Sequence, residues 1–172
     1  SLTDENGALA QRYVEAADLV LYITSSDSPA RASDVAEIIN LVGTKNKSVC
    51  IVLSKSDSME EDEVDGELVQ LRIGKSSYDR NLQENHVRSE LKKELGEQLA
   101  QRISHIHSCS TLLGHDGING NKSAWVQSNM DTIFSLLHTE AITNAKTHKE
   151  KVPRERFNAC LLYTSPSPRD RT

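Results

Sequence analysis

The sequence predicts an α/β fold with a mostly parallel sheet and flanking helices. Two near-continuous apolar runs, 18–24 (DLVLYIT) and 48–54 (SVCIVLS), have the length and composition of buried strands. The segment between them carries apolar residues at helical spacing. A strand, a helix and a second strand form a βαβ unit, which implies parallel pairing and a sheet covered on both faces.

Composition is typical of a globular protein. The chain has 172 residues, of which 37% are hydrophobic and 26% charged, and its net charge is -5. The negative charge argues against a nucleic-acid-binding surface. No apolar run approaches the roughly 18 residues of a membrane span. Three cysteines without framework spacing fit a reducing compartment, so we expect a cytoplasmic protein.

The first half of the chain predicts two helices around the first strand. Residues 7–17 form a short helix that leads into it. After the strand, Ser28 can cap a helix and Pro29 suits the first helical position. This helix runs to about residue 41, and Gly43 ends it.

The second half predicts alternating elements with one long helix. Residues 67–73 form a short strand, and 82–103 form a helix in which apolar residues recur every four positions. Gly96 interrupts that helix mildly. Residues 103–109 are a third strand. The Gly- and Asn-rich stretch 112–123 is predicted as a loop, followed by an amphipathic helix over 124–141.

The carboxyl end of the chain differs in character from the rest. Residues 142–159 are polar and basic, and form a linker or the start of a following helix. Residues 160–172 resemble the translation of a sequencing adapter, and we exclude them from functional reasoning as a non-native tail. The alternative is a genuine Pro- and Ser-rich disordered tail.

A polar tetrapeptide, Ser54-Lys55-Ser56-Asp57, follows the second strand. Ligands of open α/β sheets bind beyond the carboxyl ends of the strands. A carboxylate there can accept two hydrogen bonds from guanine, from its ring N–H and its exocyclic amine, and adenine lacks this donor pair. A lysine stem can lie along the base, and a hydroxyl at the first position can tie the loop to its neighbours.

These residues resemble the second half of a GTPase domain of the translation-factor-related P-loop class. In that class an apolar strand ends in Asn/Thr-Lys-x-Asp, and Ser54 keeps the hydroxyl of Thr without its methyl group. The acidic stretch 54–69 and the helix 26–42 are similar to the dynamin-like branch. The resemblance implies a partial P-loop NTPase sheet, truncated at its N-terminus, with the C-terminal part of a GTPase domain over 1–141.

The resemblance also implies a second base-side segment, whose backbone N–H meets the guanine carbonyl oxygen. Ser108-Cys109-Ser110 follows the third strand and fits this role. Gly74-Lys75-Ser76 is a rival, similar to the corresponding box of eukaryotic dynamins. The cofactor-binding residues expected from the resemblance are therefore Ser54, Lys55, Asp57, Ser108, Cys109 and Ser110.

The phosphate-binding parts of such a GTPase are not found in this sequence. A phosphate loop ending at Gly74-Lys75 needs a glycine at position 69, where Val69 stands. We therefore predict that this chain binds GTP through its base side and hydrolyses nothing, whereas the whole protein, with its own Mg²⁺ ligands, hydrolyses GTP. The dynamin-like branch further implies self-association or membrane contact by the whole protein.

Other interpretations of the same features stay open. The acidic run 60–67 is interpreted as a solvated face near a helix start. His105, His107 and Cys109 would share one face of a strand, but their spacing is unusual for zinc and a fourth ligand is missing. The alternative function is a nucleotide-free α/β interaction module, or a degenerate GTPase that acts as a scaffold.

Overall fold

A computed structural model describes residues 13–15, 17, 19–64, 66–140 and 142. Contacts divide the chain into a first unit, Ser1–Phe134, and a second unit, Ser135–Thr172. In the second unit, residues 135–140 and 142 are helical. Of the predicted helix 7–17, residues 13–15 are described and helical, and residue 17 is described and not helical. Residues 143–159 of the predicted linker and the tail 160–172 lie outside the described residues.

The centre of the first unit is a three-stranded parallel sheet. Its strands are β1 (Leu19–Ser25), β2 (Ser48–Ser54) and β5 (Ile103–Ser108), in the order β1-β2-β5. This confirms the α/β class and the three strands that the apolar runs predict. Residues 49–53 of β2 are all buried, because a central strand has neighbours on both edges and both faces.

Helices pack against one face of this sheet. They are α1 (Ala32–Ile39), which continues into a π-helical turn at Asn40–Thr44, and α2 (Ser77–Ala100). One buried cluster joins them to the strands; it comprises Ile38, Leu41, Val42, Val49, Ile51, Leu53, Val87, Leu91, Leu95, Ile103 and Ile106. The opposite face is less completely covered, because Leu21 and Ile23 of β1 are exposed. The prediction of two covered faces therefore holds for β2 and not for β1.

The first residues of α1 and α2 both differ from the prediction. α1 begins at Ala32 rather than near Pro29, because Ala30 has a left-handed φ of 60° that breaks helical continuity. α2 begins at Ser77, where the Ser76 hydroxyl accepts a hydrogen bond from the Asp79 amide at 3.1 Å. Gly96 interrupts α2 as predicted, with φ 72° and ψ 169°.

The acidic run is part of a β-hairpin, so the prediction of a helix start is wrong. Strand β3 (Asp57–Val64) pairs antiparallel with β4 (Glu67–Gly74), and Val64 lies opposite Glu67. The strand prediction for 67–73 is confirmed. The acidic residues 60–63 are all exposed. A solvated two-stranded ribbon therefore lacks the apolar alternation by which a half-buried strand is detected.

The predicted loop over 112–123 is also wrong. Two helices, α3 (Thr111–Ile118) and α4 (Lys122–Ser128), occupy this region. A Cβ on Gly117 would lie 2.7 Å from the Trp125 Cα. The glycine therefore serves a close approach of two helices rather than a loop. Asn129, with a left-handed φ of 58°, separates α4 from the helical residues 130–140, so the predicted helix 124–141 is broken.

Among the described helices, none combines the length and the apolar character needed to cross a bilayer.

Candidate functional site

The carboxyl ends of β1 and β2 are joined at the predicted tetrapeptide. The Ser54 hydroxyl donates to the Thr24 carbonyl oxygen at 2.8 Å. The Ser26 amide donates to the Ser54 carbonyl oxygen, also at 2.8 Å. These bonds extend the pairing of the two strands to their last residues, and so position the turn that carries Lys55 and leads to Asp57 at the start of β3.

Lys55 occupies an unusual backbone conformation. Its φ is 58°, a region that non-glycine residues rarely adopt and that clusters at functional sites. The Ser26 hydroxyl donates to the Lys55 carbonyl oxygen at 2.8 Å, which holds the turn in place. The Lys55 side chain is 67% exposed, and its Nζ lies 3.7 Å from a carboxylate oxygen of Asp27. The ammonium therefore stays in solvent while the residue borders a cavity.

Asp57, the residue predicted to bind guanine, is nearly buried. Its side chain is only 6% exposed, and its Oδ2 accepts a hydrogen bond from Nη1 of Arg72, whose side chain is 36% exposed. Arg72 lies on β4, directly opposite Met59 of β3. The hairpin thus brings a cation to the carboxylate, and burial of the charge is offset by this ion pair.

A cavity of about 340 Å³ lies at this end of the sheet. That volume is within the range of small-molecule sites. Its walls come from the turns after β1 and β2, from the hairpin and from the start of α3; the lining residues are Asp27, Lys55, Asp57, Ser58, Met59, Arg72, Thr111 and Leu112. Both charged residues of the predicted tetrapeptide therefore face one concave, mixed-charge surface.

The segment Ser108-Cys109-Ser110 lies beside the tetrapeptide but is buried. The Ser56 amide donates to the Cys109 carbonyl oxygen at 3.0 Å, and the Cys109 amide donates to Leu53 at 2.9 Å. The Ser108 amide donates to Glu84 Oε1 at 2.7 Å. The Ser110 amide donates to Ser128 at 2.9 Å. The amides of all three residues of this segment therefore have acceptors within the protein.

The next two residues, Thr111 and Leu112, do line the cavity. They open α3, where first-turn N–H groups have no acceptor one turn earlier. The Ser110 hydroxyl caps this helix by accepting from the Leu113 amide at 3.2 Å. The residues of this segment that line the cavity are thus one or two positions beyond those that the resemblance implies.

Cys109 is a buried thiol, 2% exposed. Burial raises its pKa, and the positive charge of Arg80 opposes that rise only in part. The thiol therefore stays protonated at neutral pH. It contributes packing at the end of β5 rather than the thiolate chemistry of a nucleophile or a metal ligand.

The rival segment, Gly74-Lys75-Ser76, contributes hydrogen bonds to the turns that carry the site. The Lys75 amide donates to the Ser56 carbonyl oxygen at 3.0 Å, and Lys75 Nζ donates to the Ser26 hydroxyl at the same distance. Ser76 caps α2. The lining of the cavity includes no residue of this segment. The hydrogen bonds of Lys75 join the end of strand β4 to the carboxyl ends of β1 and β2.

The sequence does not indicate that several other residues belong to the site. In the sequence, Arg72 is one charged residue of a short predicted strand, and Asp27 is a residue of a predicted turn. Glu84 on α2 and Asn129, whose Nδ2 donates to the Ser108 carbonyl oxygen at 2.8 Å, hold the end of β5 from two sides. These contacts join residues more than 20 positions apart in sequence, so spacing alone does not reveal them.

Comparison with known proteins adds a relative but no family. No family model and no solved structure matches the chain. The chain is 30% identical over 156 residues to an uncharacterized protein of Acinetobacter baylyi, and the match covers 89% of this chain. The chain spans 30% of the length of that relative. It is thus similar to one segment of a considerably longer protein.

Proposed function

We propose that this chain is the base-recognition part of a guanine-nucleotide-binding protein. The observation that carries the proposal is the position of Asp57, which lines a cavity at the carboxyl ends of a parallel sheet. This edge is where open α/β sheets bind ligands. In the proposal, the ring N–H and exocyclic amine of guanine donate to the Asp57 carboxylate.

The other walls of the cavity suit the rest of the base. The Lys55 stem borders the cavity and offers an apolar surface for the flat face of the base, with its ammonium in solvent. The amides of Thr111 and Leu112, at the positive end of α3, are the donors that we assign to the guanine carbonyl oxygen. Ser108, Cys109 and Ser110 act through the fold, because they place the start of α3 beside the Ser54–Asp57 turn.

The parallel order β1-β2-β5 supports a P-loop-type sheet. In the proposal β1, β2 and β5 are the last three strands of a GTPase domain of the dynamin-like branch. Phosphate and Mg²⁺ binding, GTP hydrolysis, self-association and membrane contact then belong to the whole protein. The sequence upstream of this chain should contain Gly-x-x-x-x-Gly-Lys-Ser/Thr after an apolar strand, and then Asp-x-x-Gly.

Nucleoside titration of the 172-residue chain tests the base site directly. Because nucleosides have no phosphate, chemical-shift changes in ¹H–¹⁵N spectra report base recognition alone. Guanosine should shift the amides of Lys55, Asp57, Thr111 and Leu112, and adenosine should not. Charge-assisted hydrogen bonds of about 1.5–3 kcal/mol imply a preference for guanosine of roughly tenfold to a hundredfold.

Asp57→Asn supplies the decisive variant. It should weaken guanosine binding and shift the preference toward xanthosine, which offers a carbonyl where guanine has the amine. Asp62→Asn is the matched control, since it removes the same charge from an exposed position of β3. Equal binding of guanosine and adenosine, or guanosine affinity unchanged in Asp57→Asn, would favour the nucleotide-free interaction module instead.

A further inference from the structure

Arg72 holds the carboxylate on which the proposed base site depends. Both side chains line the same cavity, and Asp57 Oδ2 already accepts a hydrogen bond from Arg72 Nη1. The carboxylate is 6% exposed, whereas the guanidinium side chain is 36% exposed. The outer partner of this pair is therefore the one that solvent, or a ligand entering the cavity, can reach.

A guanidinium group and the guanine edge present the same pattern of donors. Arginine offers neighbouring N–H groups in a planar fork that matches a carboxylate. Guanine offers its ring N–H and an amine N–H side by side in one plane. The donor pair of guanine needs both oxygens of Asp57, and Arg72 already occupies Oδ2, so Arg72 and the base compete for this nearly buried carboxylate.

We propose that Arg72 is an internal competitor for the guanine site, which closes the site in the free protein and is displaced when the base enters. This inference rests on the proposed function and adds a regulatory element to it. Guanine affinity is then set by two quantities, the contacts of the base with the cavity and the strength of the Arg72–Asp57 pair.

The hairpin offers Arg72 a second carboxylate. Arg72 is directly opposite Met59, and Glu61 is opposite Gln70. Residues two positions apart on a strand lie on the same face, so Asp57 and Glu61 are the two diagonal neighbours of Arg72. Glu61 is exposed. Arg72 can therefore leave Asp57 for Glu61 by a change of side-chain rotamer, while the backbone of β3 and β4 stays paired.

The size of the effect follows from the population of the closed form. If Arg72 occupies Asp57 nine-tenths of the time, the apparent affinity for the base is about tenfold weaker than that of the open site. A variant without the guanidinium should recover this factor. The same variant should leave adenosine binding unchanged, because adenine has no donor pair for the carboxylate.

Guanosine and adenosine titrations of variants of the full 172-residue chain test the competition. Arg72→Met keeps the length of the side chain and removes its donors. It should bind guanosine more tightly than the wild type, by about tenfold if the closed form has the nine-tenths population assumed above. Arg88→Met, at an exposed position of α2, is the matched control for loss of one positive charge. Glu61→Gln removes the second carboxylate and should weaken guanosine binding, whereas Asp62→Asn should not.

A second measurement uses the wild-type chain, so it does not depend on how well a variant folds. The side-chain N–H resonances of Arg72 should shift when guanosine saturates the protein and stay unchanged with adenosine. The competition would be overturned if Arg72→Met bound guanosine no more tightly than the wild type and the Arg72 resonances of the wild type stayed unchanged. The proposed base site would then still stand. No guanosine binding by wild type or Arg72→Met would overturn the base site and the competition together.

Discussion

Gly74 lies directly against the backbone of Gln127. The Gly74 amide donates to Oε1 of Gln127 at 3.1 Å, and a Cβ on Gly74 would overlap the Gln127 carbonyl oxygen. This contact joins the end of the hairpin to α4, next to the turn that carries Asp57. No side chain larger than hydrogen fits there without movement of one backbone relative to the other.

We therefore expect Gly74→Ala to destabilise the fold. Overpacking of this kind typically costs about 1–3 kcal/mol, and the free energy of unfolding in urea measures it. Gly43→Ala is the control, because no atom lies within 4 Å of its added Cβ. Equal unfolding free energies for the two variants would show that the hairpin and α4 separate at no cost.

Ser110 is predicted to stabilise α3 through its side chain. Its hydroxyl accepts from the Leu113 amide at 3.2 Å. Replacement of such a cap by alanine costs about 1 kcal/mol, so Ser110→Ala should lower the free energy of unfolding by about that amount. Ser89→Ala, at an exposed position of α2, should be neutral or slightly stabilising. A Ser110→Ala variant as stable as Ser89→Ala would contradict the capping role.

His107 is predicted to make stability depend on pH. Burial lowers its pKa, the nearby charges of His105 and Arg88 lower it further, and Glu84 opposes them. The unfolded chain has the ordinary pKa of about 6.5. Below that value, and down to the pKa of folded His107, the unfolded chain holds a proton that the folded chain lacks. The free energy of unfolding should therefore fall as the pH drops through this interval.

Urea unfolding at several pH values between about 5 and 7.5 measures this contribution. His107→Gln should flatten the dependence of the unfolding free energy on pH. His115→Gln should retain it, since the His115 side chain is exposed. A pH dependence that survives in His107→Gln would assign the effect to other groups.

The parallel sheet could be predicted from the sequence, and the hairpin could not. Strands β1, β2 and β5 form the buried middle of the fold, and burial demands the continuous apolar runs that mark them. Residues 58–63 of β3 are all exposed, so the acidic residues among them satisfy no pattern that distinguishes a strand from a polar loop. The two helices within 111–128 could not be predicted either. Gly117 suggests a loop in the sequence, but in the fold it allows a close contact with Trp125.

The same division applies to the candidate site. The end of an apolar run is visible along the chain, so the sequence places Ser54 at the last position of a buried strand and Lys55 and Asp57 just beyond it. The contact of Arg72 with Asp57, and the place of Thr111 and Leu112 in the cavity wall, depend on the folded chain. Those residues come from separate elements, and only strand pairing, helix capping and packing of distant segments bring them to one end of the sheet.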